Sequence, residues 1–288
     1  MRKAKDVEGS FAPGGARQPE TGRQPSEVPP VPLPPKVPSR RTRSSAARQK
    51  AILPEDMLQR AMVAQTPRAR AIWARKGLST RSKLDPTTQA MLLRQLYLAH
   101  YEQERFDQAI LASEQALVLD VLPDVAHQDA ARAKQATGDI DGAATHLRLA
   151  ARSSPPNRKA FHWWTLGSLY YLDKRYDDAI AALSRAARWG TTDKPLYQGH
   201  LALAQLAAGQ TVPNLDYLIS RLADVPAGGG YGRFVLGLLA RHAGRHEDAR
   251  KWLLSFIERS TTGRRVMAIS LRGEIEAARQ AIEEIAGS

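Results

Sequence analysis

The 288-residue chain has no cysteine. That removes disulfides, thiolate metal sites, cysteine nucleophiles and a lipid anchor on an N-terminal cysteine. It also has no apolar run as long as a membrane span. Its opening MRKAKDVEGSFAPGG begins basic without reaching the apolar stretch of a secretory signal. The expectation is a soluble, cytoplasmic protein. Catalytic patterns are missing as well: there is no G-x-S-x-G elbow. The glycine-rich PAGGGYGR, Pro226 to Arg233, lacks the Lys-Ser or Lys-Thr that a phosphate loop needs.

Two stretches imitate metal sites. GDIDGA, Gly138 to Ala143, begins like a calcium loop but has no twelfth-position glutamate, so Asp139 reads as a helix cap. His242 and His246 have the four-residue spacing of paired ligands, but Gly244 between them places the rings on different helices, and no HExxH glutamate accompanies them. The other five histidines are scattered. No enzyme activity, cofactor or metal is expected.

What is abundant is positive charge, a formal net of +13. Its distribution matters more than its total. Residues 1–50 carry 11 Lys and Arg against 4 acids, residues 51–86 carry 7 against 3, and the remainder carries 24 against 22. The body is nearly neutral. Residues 1–50 contain VPPVPLPPKVPSR and then a basic run. Such a segment favours polyproline II and reads as a disordered tail. Within it Pro35, Pro38 and Arg40 fit a PxxPx(K/R) ligand pattern, set against the plainer reading of a solvated linker. Thr66-Pro67 and Asp85-Pro86 read as helix starts, making residues 51–85 a basic helical lead-in.

From residue 86 to 288 the chain repeats with a period near 34. Aligned on one small residue, Ala109, Ala143, Ala179 and Ala249 recur at intervals of 34, 36 and 70, the last spanning a degenerate unit. The best-preserved stretch carries Trp163, Leu166, Gly167, Tyr170, Tyr176, Ala179, Leu183 and Ala186, and it resembles a tetratricopeptide unit. That resemblance implies an all-α fold: a right-handed α-solenoid of antiparallel helix pairs. The units fall at about 90–123, 124–157, 160–193, 194–226 (degenerate, broken near Pro213), 230–263 and a partial capping pair at 264–287. In the first unit Tyr97 replaces the small residue expected where paired helices touch.

The resemblance also implies a concave groove lined by the first helix of each unit. The matching positions hold Arg94, Leu98 and Tyr101, then Gln128, Arg132 and Gln135. They continue with Phe161, Trp164, Ser168 and Tyr171, then Leu203, Tyr231, Phe234 and Arg241. Aromatic side chains bracketed by arginine suit protein hot spots, although packing between helices explains Phe161 and Trp164 equally well. Gln95, Asp129 and Thr165 stand where a Lys and Asn carboxylate clamp would be, which argues against that ligand. The expected function is a non-catalytic scaffold binding a peptide or helix of a protein partner. Two alternatives stay open: a nucleic acid or acidic partner for the basic N-terminal segment, or assembly of envelope, pilus or secretion components from the cytoplasmic side. The excess of Arg over Lys, 31 to 11, points to a bacterial source.

Overall fold

A computed structural model describes residues 53–81 and 83–287, and the tail readings on residues 1–50 lie outside that range. Proline opens many of the helices. It stands in the first turn of α1 (Pro54–Val63), α2 (Pro67–Leu78), α3 (Pro86–Glu102), α5 (Pro123–Ala136), α7 (Pro156–Leu172) and α9 (Lys194–Ala207). Its fixed φ suits that turn, and the N–H it lacks would be unpaired there anyway. Thr66 and Asp85 accept from the first-turn amides of Ala69 and Thr88, three residues on, so both expected caps form.

The partners in each pair are α4 (Phe106–Leu117), α6 (Ile140–Ser153), α8 (Tyr176–Trp189), α10 (Leu215–Ala223) and α12 (His246–Thr262), the last following α11 (Gly232–His242). A short 3-10 turn, Pro226–Gly228, separates α10 from α11. Among the described residues every regular element is helical. Consecutive helices pack in order, and first helices also meet one another, α3 on α5, α7 on α9 and α9 on α11. The fold is therefore an all-α, tetratricopeptide-like solenoid of antiparallel helix pairs.

The period is visible in the backbone independently of the alanines. The turns between paired helices place Glu104, Gly138, Lys174, Gly209 and Gly244 at positive φ, at successive intervals of 34, 36, 35 and 35 residues. The spacing crosses the degenerate unit without a break. Side chains repeat the interval: Arg94 pairs with Asp129, Arg158 with Asp124, and Arg175 with Asp141, linking matched places in neighbouring units.

Within the best-preserved pair, Gly167 lies against Leu183 so closely that a Cβ there would overlap the leucine side chain. Gly237 meets Leu253 in the same way. Backbone approach at the crossing is what these glycines permit. The array ends in two helices of unequal length. The six-residue α13 (Arg265–Ser270) packs on α12 and also meets α3 and α5, while α14 (Arg272–Ala286) packs on α12, α11 and α7. Apolar Ile275, Ala278 and Ala281 seat α14 in the core around Phe234 and Phe256.

Candidate functional site

The expected lining residues do not form one open trough. Leu203 and Phe234 are fully buried core residues and do not reach a groove surface, because α9 and α11 are covered on several sides. Gln128 is also buried: its Oε1 lies 2.9 Å from His162 Nδ1, beside the Asp124 carboxylate at 3.3 Å from Nε2. Arg94 is spent on Asp129, with Nε donating at 3.1 Å to a carboxylate that is itself buried. Asp129 at the clamp position is thus a structural counter-ion. Burial raises its pKa, and the fields of Arg94 and Arg132 work against that rise.

The central lining residues face the chain's own C-terminal segment. Tyr101 accepts from Ser270 Oγ at 3.4 Å, and both Ser168 Oγ and Tyr231 Oη donate to Glu274 Oε1, at 3.4 and 3.3 Å. At one end Arg265 and Arg272 both donate to Glu104, in the α3–α4 turn. At the other, Arg241 pairs with Glu284 at 2.8 Å. The α13–α14 segment therefore crosses the inner face and leaves separate spaces. One of about 460 Å³ is bordered by Tyr101, Arg132 and Gln135. One of about 130 Å³ is bordered by Phe161, Trp164 and Tyr231. Near Tyr171 and Arg241 lies a third of about 340 Å³. Leu98 instead borders a cleft of about 1100 Å³ between the α1–α2 connection, α3 and α13, with Met62, Val63, Arg68, Arg264 and Val266 around it.

Aromatic contacts tie the middle together. Trp164 meets Tyr231 edge to face with centroids 4.7 Å apart, and Phe161 lies 5.8 Å from Trp164. The Trp164 indole N–H donates to His200 Nδ1 at 3.1 Å. Burial holds His200 neutral, its pKa lowered to about 3, so it is an acceptor and not a charge. Packing and lining roles thus coincide in Trp164, whereas Phe161 is 37% exposed at the rim.

Sequence reasoning missed Glu274 and the scattered histidines as structural partners. His162 and His200 sit in the 34- to 36-residue ladder, and His127 and His146 meet across α5 and α6 with their Nδ1 atoms 3.0 Å apart. Their spacing of one period, 162 against Gln128 and 200 against Trp164, was the available signal. Among the described residues no group of three His, Asp or Glu could hold a metal, and no helix is long and apolar enough to cross a membrane.

No family model matches the chain, and no curated protein matches it. A solved structure described as MamA MSR-1 C2 is similar at 17% sequence identity and a TM-score of 0.38, over 68% of this chain and 98% of that one. At that score the fold rests on the helix packing itself.

Proposed function

We propose that this chain is a non-catalytic protein-interaction scaffold that docks a helical segment of a partner on the face built by its first helices. The observation that supports this reading is that the face already receives a helical segment in cis. Side chains from α3, α7 and α11 meet α13 and the first turn of α14 through Tyr101, Ser168 and Tyr231. A surface that recognises one amphipathic helix by apolar contact plus a few directed hydrogen bonds has the chemistry to recognise another. With the centre covered, the partner's place is the open cleft beside Leu98 and Val63, rimmed by Arg68 and Arg264. An acidic amphipathic helix complements that rim.

The test is affinity capture by the full chain, by Leu98→Glu and by Leu111→Glu, the last on exposed surface of a second helix. Loss of a specific partner with Leu98→Glu alone supports the reading. Retention with Leu98→Glu, or equal loss with both, overturns it. A nucleic-acid role rests on the basic charge alone. Arg60 and Lys76 each lie 4.7 Å from the Trp73 ring, so the aromatic surface that base stacking would use is already engaged by the chain's own cations.

A further inference from the structure

We infer that the space of about 130 Å³ between α5, α7, α11 and the α13–α14 junction is a binding site for a primary alkylammonium group, held by Glu274 against the rings of Phe161, Trp164 and Tyr231. This site is independent of the partner cleft proposed above.

The case begins with the carboxyl group. Glu274 is 5% exposed, and its Oε1 already receives Ser168 and Tyr231, whose hydroxyl oxygens lie 2.6 Å apart. Its Oε2 is enclosed and has no hydrogen-bond partner among the described residues. Buried carboxylate oxygens are almost always paired, and an unpaired one is costly. The Trp164 N–H is committed to His200, the Ser168 and Tyr231 hydroxyls share two protons between each other and Oε1, and the residue's own backbone N–H also reaches the carboxyl. A donor group on a ligand in this space would complete the hydrogen bonds of Oε2.

The walls define its chemistry. Trp164 and Tyr231 line the space, packed edge to face at 82° to each other, with Phe161 at the rim. Aromatic faces attract cations. A primary ammonium satisfies both demands, because it carries positive charge for the rings and N–H donors for Oε2. A quaternary ammonium brings charge without a donor, and a carboxylate brings repulsion. Arg132 also borders the space, but its field stabilises the buried Asp129 carboxylate, which leaves Glu274 as the acid lacking a counter-ion. This favours an amine over an amino acid.

The site has a pH signature. Burial raises the Glu274 pKa to about 7, so its anionic form, and with it amine affinity, grows as pH rises from about 6 to about 8, while an alkylamine with a pKa of about 10 stays charged. The groups facing it do not titrate in that window. Tyr231 is pushed well above its usual range, and burial keeps His200 neutral.

The test is calorimetric titration of the full chain with butylammonium chloride, with tetramethylammonium chloride, sodium butyrate and 4-aminobutyrate as comparisons. Butylammonium should bind most tightly, with affinity rising from pH 6 to pH 8. Glu274→Gln should weaken it by about tenfold or more, the scale of one lost charge-assisted contact, and Arg132→Gln should tighten it. If Glu274→Gln fails to fold by circular dichroism, the pH profile of the parent decides. No butylammonium binding, a flat profile, undiminished binding by folded Glu274→Gln, or tighter binding of 4-aminobutyrate than of butylammonium would each overturn the assignment.

Discussion

The pair α7–α8 and the pair α9–α10 solve one packing problem with different spacing. In the first, α8 begins two residues after the left-handed Lys174, as α4, α6 and α12 begin two residues after Glu104, Gly138 and Gly244. In the second, α10 begins at Leu215, six residues after Gly209, because Pro213 and the left-handed Asn214 occupy the intervening chain. The cost is taken from helix length. The second helix has 14 residues in α8 and 9 in α10, and the next turn between paired helices, at Gly244, still arrives 35 residues after Gly209. Period in this array is a property of turn-to-turn distance, and helix length adjusts to it.

The strongest way to break that comparison is at the leucine each second helix contributes. Leu183 and Leu222 are both fully buried, and Leu222 lies against Gly199 as Leu183 lies against Gly167. Truncating either to alanine should cost about 2–5 kcal/mol. Denaturant unfolding of the two variants checks this. A cost well below about 1 kcal/mol for Leu222→Ala alone would mean that α10 is a loose connection and not a working second helix.

A smaller effect separates the two crossings. At Gly167 an added Cβ overlaps Leu183 and stands 3.3 Å from the Ala179 carbonyl oxygen. At Gly199 it would sit 3.1 Å from a Leu222 methyl that can yield. Gly167→Ala should therefore cost about 1–3 kcal/mol by overpacking, and Gly199→Ala less than that. Equal losses in thermal melts would show that the two crossings are equally tight.

These residues also show what the sequence could disclose. The Gly167, Ala179, Leu183 pattern marks a hairpin because close helix approach demands small residues in one place and a large one opposite. The caps at Thr66, Asp85 and Asp139 follow from short side chains that reach their own backbone. Two of the five turn residues escaped notice because Glu104 and Lys174, not glycine, adopt positive φ there. The path of α13 was hidden for a different reason. Ile269, Ser270 and Glu274 find partners 100 to 170 residues away, and a local pattern carries no record of which distant helix an amphipathic segment will choose. The burial of Leu203 and Phe234 is likewise set by the neighbours that α9 and α11 acquire in the stack.

The first pair, α3–α4, provides the finest test, because there the size relation is reversed. Tyr97 stands one period before Ala131 and two before Gly167, and the residue sixteen further on is Ser113 where the other pairs have Leu147 and Leu183. Both Tyr97 and Ser113 are buried, so a large residue on the first helix fills what a leucine on the second fills elsewhere. The exchange leaves one polar atom over: the Tyr97 hydroxyl is enclosed with no hydrogen-bond partner among the described residues, and burial pushes its pKa well up. If only the ring is needed for packing, Tyr97→Phe removes a desolvated hydroxyl and keeps the volume. It should raise stability by up to about 1 kcal/mol. A loss of stability in urea unfolding would instead show that the hydroxyl contributes to this crossing, and that the first pair differs from α7–α8 in chemistry as well as in which helix supplies the bulk.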